Sequence, residues 1–456
     1  MEKADTALFF EAVLLPDGWA QRVRITISNG RFLAVTTDTM PEPGDERHGF
    51  GIPGIPNLHS HAVQRGMAGL AERRGPTDDS FWTWRTMMYR FVDRITPDQM
   101  KAIATLAYVE MLESGFTRVG EFHYLHHDRD GRRYGRPAEM SAAITAAAAR
   151  TGIGLTHLPV FYAHSGFGGL PPGDAQRRFV HAVDDYVRLV EEARASITTL
   201  PDAIVGVAPH SLRAVMPEEL HAVTAIAGNA PIHIHIAEQI REVEDCLAWS
   251  GARPVQWLLD HADVDDRWCL VHATHIDAGE QEAIVRSNAV VGLCPVTEAN
   301  LGDGLFPAHA FDGAGGRYGI GSDSNVLIDM AEELRLLEYG QRLFHQRRNV
   351  MARGAGKSTG QALFDAALSG GAQALGVKGG IAPGLPADLI GLDRSHPSLC
   401  TTPMDMILDA FIFAAGRSAI DCVWRYGAKV VAQGRHRLGD MARERYRIVI
   451  QQIKDS

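Results

Sequence analysis

Gly54-Ile55-Pro56-Asn57-Leu58-His59-Ser60-His61 is a short apolar run that ends in two histidines separated by one residue. On an extended strand residues i and i+2 project to the same side, so His59 and His61 can aim two imidazoles at one point, where a divalent cation would accept both. Taken alone, such a pair is more often a packed surface or core feature than a site. Its meaning depends on what the rest of the chain brings to it.

Outward from this run, the chain changes rhythm on either side. Residues 6 to 50 carry short alternating runs, such as Arg22-Val23-Arg24-Ile25-Thr26-Ile27, punctuated by Pro16-Asp17-Gly18 and Asn29-Gly30, the pattern of hairpins in a small antiparallel sheet. From Ile52 onward, apolar strand-like runs alternate with helical stretches. The runs fall at 52–59, 116–124, 153–162, 203–209, 231–236, 267–273, 289–294 and 317–322, with helical patterns at 97–114, 138–150, 175–195, 217–228 and 278–287. Strands too apolar to have one wet face belong to a parallel sheet covered on its outside. Eight such units predict an α/β fold in the form of a (β/α)8 TIM-like barrel rather than an open sheet. After a helical region from 331 to about 376, short β runs with Gly and Pro return at 379–393 and 421–434. They predict a small β-sandwich domain formed from both chain ends, 1–52 and 379–456, around a barrel at 53–378. Gly356-Lys357-Ser358 superficially matches a phosphate loop, but Met351 stands where its first glycine should be, and it is discarded.

Composition narrows the function classes. With 45% hydrophobic and 22% charged residues the chain is an ordinary globular sequence, so disorder is excluded. A net charge of -10 and a pI near 6.0 argue against a nucleic-acid surface and against an anionic membrane, leaving a small molecule as the partner. Met1-Glu2-Lys3-Ala4-Asp5 lacks the basic start of a signal peptide, and no run of ~18 apolar residues occurs, so a cytoplasmic location is expected. The five cysteines are scattered without a CxxC pair, which points neither to a disulfide framework nor to a cysteine zinc site.

In a barrel of this kind the C-terminal strand ends converge on one mouth where chemistry is built. His59 and His61 end the first strand, His235 the fifth in Ile232-His233-Ile234-His235-Ile236-Ala237-Glu238, and His272 the sixth in Leu270-Val271-His272-Ala273-Thr274-His275. Asp323 follows the eighth in Gly319-Ile320-Gly321-Ser322-Asp323. Imidazoles and a carboxylate at four expected strand ends suit Zn2+, which keeps a position open for water when catalytic. His157, His233 and His275 stay open between core packing and a role at the site.

These residues resemble the amidohydrolase superfamily, and the similarity spans nearly the whole chain. Its marks are Pro56-Asn57-Leu58-His59-Ser60-His61, the His235 to Glu238 spacing, Val271-His272-Ala273, Gly321-Ser322-Asp323, and Gly384-Leu385-Pro386-Ala387-Asp388-Leu389. Many members bind two metals bridged by a carbamylated lysine on a barrel strand, whereas the aminohydrolase branch binds one. No lysine lies between Lys101 and Lys357, so one divalent metal per chain, zinc above all, is expected. The resemblance implies His59, His61, His235 and Asp323 as metal ligands, with Glu238, His272 and Asp323 catalytic. Zinc lowers the pKa of a bound water from ~15.7 toward ~7. Asp323 would then accept a proton, His272 would orient the nucleophile by hydrogen bonding, and Glu238 would protonate the departing nitrogen. A homodimer is expected because it is common in the family.

The barrel mouth further carries Asp79-Ser80-Phe81-Trp82-Thr83-Trp84-Arg85-Thr86-Met87-Met88-Tyr89, read as part of a loop over 71–94, and Ala208-Pro209-His210-Ser211-Leu212-Arg213. Arginine matches a carboxylate with two parallel hydrogen bonds, so Arg85 and Arg213 at one mouth point to a dicarboxylate substrate. Within the superfamily the Phe81 to Arg85 segment, Gln64, Tyr124, His210 with Arg213, and Cys294 to Gly302 look most like the enzymes that hydrolyse N-formimidoyl-L-glutamate to N-formyl-L-glutamate and ammonia in histidine degradation. That resemblance implies Arg213, His210 and Tyr124 at a carboxylate, Gln64 at the formimidoyl or amide end, and Arg85 at the second carboxylate. The alternatives are an aminohydrolase of the same branch acting on a nucleobase, nucleoside or triazine, and a non-catalytic hydrolase-like assembly protein. Thr297-Glu298 counts against a ring substrate, because ring aminohydrolases commonly show Ser-Asn there.

Overall fold

The computed structural model describes residues 6–75 and 79–455, so the N-terminal pentapeptide and residues 76–78 of the 71–94 segment lie outside the described residues. The N-terminal hairpins form β1 (Thr6–Leu15), β2 (Gly18–Ser28), β3 (Arg31–Thr36) and β4 (Glu46–Pro53). The barrel strands are β5 (Ile55–Ser60), β6 (Phe116–His123), β7 (Gly154–Phe161), β8 (Ile204–Val205), β9 (Ala208–Pro209), β10 (Ile232–Ile236), β11 (Trp268–His272), β12 (Val290–Leu293) and β13 (Arg317–Ile320). Each begins within three residues of its expected position, and the fourth run is split into the short pair β8 and β9. The pairing runs β5-β6-β7-β8 on one side, with β9 also on β7, and β10-β11-β12-β13 on the other. Bridges between Val207 and Ile232 and between Ser60 and Asp323 join the halves, so the sheet closes on itself as a TIM barrel.

Strands buried on both faces explain the apolar runs: all residues of β5, β6, β7, β10, β11 and β12 are buried. The helix Thr359–Ala374 starts where Ser358 Oγ accepts from Gln361 N at 2.8 Å, an N-cap worth about 1 kcal/mol, which is the structural use of the Gly356-Lys357-Ser358 stretch. It docks at the start of β13 through Gly370, where any Cβ would lie 1.9 Å from Tyr318 O, so only glycine permits the approach.

Both chain ends contribute to one continuous mixed sheet that includes β14 (Leu389–Leu392), β15 (Ile420–Arg425), β16 (Ala428–Ala432) and β17 (Arg435–His436). Its order is β17-β16-β15-β14-β4-β1-β2-β3, with its own apolar cluster of Leu8, Phe10, Val23, Ile25, Phe32, Leu389 and Trp424 among others. Where a β-sandwich is expected, the hydrogen bonding is that of this single eight-stranded sheet. The C-terminal helix Gly439–Asp455 leaves the sheet and lies on barrel helix Pro97–Glu113, where an Arg443 guanidinium nitrogen donates to Glu113 Oε2 at 2.6 Å.

One expectation is corrected outright. The 71–94 segment is not a loop throughout, because Phe81–Val92 is an α-helix. Thr83 Oγ1 accepts from Ser80 N at 3.0 Å at its start, and Phe81, Trp84, Arg85 and Met88 recur at helical spacing on the face toward the barrel mouth. The Trp and Arg content masked that period in the sequence.

Candidate active site

The strand ends bring the predicted ligands together. His59 Nε2 lies 3.2 Å from His61 Nε2 and 3.0 Å from His235 Nε2, and Asp323 Oδ1 lies 3.4 Å and 3.3 Å from His59 and His61 Nε2. One donor atom from each of the four lies within 4.8 Å of the others. His61 Nδ1 lies 2.8 Å from Phe122 O and His235 Nδ1 3.2 Å from His210 O. Carbonyl oxygens only accept, so Nδ1 carries the proton in both rings and the Nε2 lone pairs face the cluster. Burial pushes His59 down to about 3 and holds His61 and His235 below the ordinary imidazole range, so all three are neutral donors. Asp323 is buried, which would raise it, yet the hydrogen bond from His59 and the nearby imidazoles hold it below the usual carboxylate range. Three neutral imidazoles and one ionised carboxylate converge on one point, with the Nε2 lone pairs of His61 and His235 turned toward it, and this donor set fits a divalent cation.

The local backbone is built for this convergence. Asp323 has φ 41° and His272 φ 69°, left-handed values rare for residues with a side chain, which turn these groups inward at the strand ends. Gly321 leaves no room for a methyl group: a Cβ there would lie 2.7 Å from His59 O and 2.9 Å from the His59 Cβ. Asn325 Nδ2 donates to Ser60 Oγ at 3.1 Å and to His61 O at 3.0 Å, binding the end of β5 to the turn that carries Asp323.

Beside the cluster, His272 Nε2 lies 3.8 Å from both Glu238 Oε1 and Asp323 Oδ2. The parallel register pairs His235 with Val271 and Ile236 with His272, an offset that would place the two histidines on opposite faces, but His272 leaves the strand conformation at φ 69° and its ring lies over that of His235, with centroids 5.6 Å apart and planes 13° apart. Burial pushes Glu238 up to about 7 against the opposing charges of His272 and Arg213. Burial would lower His272, but the carboxylates of Glu238, Glu298 and Asp323 outweigh it and raise the imidazole to about 10.

A cavity of about 620 Å3, including its open mouth, extends from these groups. His61, His235, Glu238, His272 and Asp323 line it together with Gln64, Arg85, Tyr124, His210 and Arg213. His59 is fully enclosed and joins the lining only through its bonded neighbours. Gln64 Nε2 donates to Tyr124 Oη at 3.1 Å, and Gln64 Oε1 is buried without a hydrogen-bond partner among the described residues. Arg213 is buried, its Nε likewise without a partner, and its guanidinium carbon lies 5.6 Å from the Trp82 ring centroid, over which Arg85 also sits at 4.4 Å. A buried guanidinium with an unsatisfied N–H at a cavity wall is a ready anion contact.

The lining is completed by Phe81, Trp84, Met88 and Tyr89 of the segment read at the mouth, by Leu301 of the 294–302 segment, and by Tyr162 and Phe179; the last two were not anticipated, nor was the shared helical face of Phe81, Trp84 and Met88. The helical spacing of 81, 84 and 88 was the available signal. Glu298, whose Oε1 lies 3.2 Å from His272 Nδ1, was read only as counting against a ring substrate and not as a site residue, because its partner lies at the end of a different strand. The open histidines lie outside the lining: His275 Nε2 is 2.8 Å from Asp303 O and His233 Nε2 is 2.7 Å from Ala374 O, while His157 is buried on β7.

Residues 50–430 match the amidohydrolase family, and residues 5–49 match the N-terminal domain of formimidoylglutamate deiminase HutF. The chain is 52% identical over 434 residues to a formimidoylglutamate deiminase of Pseudomonas aeruginosa, covering 94% of this chain and 96% of that protein. It is 29% identical over 443 residues to a 5-methylthioadenosine/S-adenosylhomocysteine deaminase of Pelotomaculum thermopropionicum, covering 92% and 90% of the two chains. Among solved structures, an amidohydrolase from Brucella melitensis superposes with a TM-score of 0.96 at 53% identity, covering 98% of this chain and 100% of that one.

Proposed function

The chain belongs to the amidohydrolase family, and from that premise and the chemistry of the cavity we propose that it hydrolyses N-formimidoyl-L-glutamate to N-formyl-L-glutamate and ammonia, a deimination in histidine degradation. The observation that carries the reading is the 52% identity to the Pseudomonas aeruginosa formimidoylglutamate deiminase, maintained over 94% of the chain. The cavity supplies the matching parts: buried Arg213 and neighbouring Arg85 for carboxylates, and a His3Asp cluster at its base. Identity to the nucleoside deaminase is lower at 29%, and of the two substrates in that relative's name 5-methylthioadenosine has no carboxylate and S-adenosylhomocysteine only one, against two arginines here.

In the reaction, water adds to the formimidoyl carbon, the bond from that carbon to the terminal nitrogen breaks, and the nitrogen leaves as ammonia. His59, His61, His235 and Asp323 would hold the cation. When bound, a divalent cation there acidifies water and makes a nucleophile available at neutral pH. Asp323 accepts the proton of the attacking water. His272, facing Asp323 and Glu238 through Nε2, orients the nucleophile by hydrogen bonding. Glu238, whose buried carboxyl is pushed up to about 7, delivers a proton to the departing nitrogen, a general-acid role typically worth ~10^2 to 10^4 in rate. Arg213, His210 and Tyr124 bind one carboxylate, Arg85 the other, and Gln64 the formimidoyl end.

The same proposal takes zinc as the cation at one per chain, a homodimeric assembly, a cytoplasmic location, and a division into 1–52 and 379–456 around a catalytic barrel at 53–378. Among the described residues no helix is long and apolar enough to cross a membrane.

Ammonia release by the metal-loaded protein tests the substrate. Formimidoylglutamate is the expected substrate, with guanine, 5-methylthioadenosine and formiminoaspartate as comparisons. Turnover of guanine or 5-methylthioadenosine in preference to formimidoylglutamate would overturn the assignment.

A further inference from the structure

We infer that Glu298 is a positioning residue for His272, gripping the imidazole at Nδ1 so that Nε2 is presented to Glu238, Asp323 and the cavity. This rests on the acid/base reading of His272 given above. His272 leaves β11 with φ 69°, outside the strand conformation, so the strand itself does not dictate where the ring points. Among the described residues its far nitrogen is hydrogen-bonded to Glu298 Oε1, 3.2 Å from Nδ1, with both side chains buried. A carboxylate at that distance accepts the Nδ1 proton, which fixes that nitrogen as a donor and sets the ring rotation. The other ring nitrogen then lies 3.8 Å from both Glu238 Oε1 and Asp323 Oδ2.

Glu298 is itself held firmly. It sits in the short helix Pro295–Leu301 immediately after β12, its own N–H donates to Cys294 O at 2.9 Å, and its carbonyl accepts from Asp303 N at 2.9 Å. Its Oε1 also accepts from Cys294 N at 2.9 Å. The preceding residue, Thr297, accepts at Oγ1 from Ser324 N at 3.2 Å, which ties the helix to the turn after Asp323. The carboxylate is thus referenced to two strand ends at once, those of β12 and β13. Glu298 is absent from the cavity lining, so it acts on substrate only through His272.

A purely structural alternative is that Glu298 merely caps its own helix through Cys294 N. A double-mutant cycle with metal-loaded full-length protein separates the two. Glu298→Ala is expected to lower kcat on formimidoylglutamate about 10-fold or more while KM stays within about two-fold, because an acid/base group is mispositioned and the binding residues are untouched. Glu298→Gln keeps an acceptor oxygen of the same shape and should recover part of that loss. In a His272→Asn background, Glu298→Ala should cost nothing further. A wild-type kcat in Glu298→Ala, or the same fold-loss in the His272→Asn background, would overturn the proposal. If Glu298→Ala fails to fold, the cycle is run with Glu298→Gln. NMR of the 15N-histidine-labelled protein reads the hydrogen bonding of the His272 ring nitrogens without any substrate: Glu298→Gln should shift the His272 ring resonances, and unchanged resonances count against the pairing. Failure of the wild type to release ammonia from formimidoylglutamate would instead sink the substrate assignment and leave this spectroscopic arm standing.

Discussion

Asn57 and Ser322 exchange two hydrogen bonds across the seam where the barrel closes: Asn57 Nδ2 donates to Ser322 Oγ at 2.6 Å, and Ser322 N donates to Asn57 Oδ1 at 3.0 Å. Both are fully buried, and they flank His59 on one strand and Asp323 on the other. The pair therefore sets the spacing between the first and last ligands of the cluster.

Asn57→Ala leaves the Ser322 N–H without its acceptor, at a cost of about 1–3 kcal/mol, while the Ser322 hydroxyl still donates to Asn325 Oδ1 at 2.6 Å. The expected outcome is a lower denaturant midpoint at unchanged m-value and faster metal loss to a competing chelator. An unaltered midpoint together with unaltered metal retention would show that the seam does not depend on this pair.

Chelation should abolish ammonia release and lower the thermal midpoint, and zinc should restore both, since the cation binds the folded cluster and not the unfolded chain. His235→Ala removes a ligand outright, a loss larger than the roughly 10- to 100-fold that outer-shell changes cost. Metal analysis should give one equivalent per chain; two equivalents, or full activity after exhaustive chelation, contradicts the single-cation site.

Arg213 is buried beside the charges of Glu242 and Glu238, and its Nε has no hydrogen-bond partner among the described residues, which leaves an N–H for a substrate carboxylate. Losing charged hydrogen bonds of about 1.5–3 kcal/mol in Arg213→Ala corresponds to a fall of about 10- to 100-fold in kcat/KM on formimidoylglutamate. Arg213→Lys should recover only part, because the ammonium cannot reproduce the planar fork. Steady-state kinetics decide it, and wild-type kcat/KM in Arg213→Ala removes the carboxylate clamp.

Glu121, behind the strand end that carries His59 and His61, offers a pH test of stability. Burial pushes its carboxyl up to about 8, partly offset by the Ala62 N–H that donates to Oε1 at 2.7 Å. Because the folded value lies above the unfolded one, the protonated form is favoured by folding. Its contribution is complete below the unfolded value of 4.5 and is lost as pH rises toward about 8, at up to about 1.4 kcal/mol per pH unit. Glu121→Gln should flatten the pH dependence of stability across that window. Urea midpoints measured from about pH 5 to about pH 8 check this, and parallel curves for the two proteins would contradict it.

Much of the architecture was legible before any coordinates, for reasons tied to particular residues. The eight strand runs were visible because β5 to β7 and β10 to β12 are buried on both faces and so are apolar throughout. The ligands were visible because each ends such a run. The helix Phe81–Val92 was hidden by aromatic and arginine residues that face a cavity rather than a packed core. The helices Ile240–Ser250 and Pro254–His261 were also not anticipated. Glu298 was hidden because its partner His272 belongs to a different β/α unit.

The sequence by itself determined the order of β and α units and the chemical identity of the groups at the strand ends, because both depend on local period and residue type. Only the tertiary structure decided which of those groups meet. Closure of the sheet sets Ser60 against Asp323 and puts one imidazole nitrogen 3.0 Å from another on the far side of the barrel. That distance is a property of the closed sheet and of the hydrogen bonds at its seam, which no local stretch of sequence encodes.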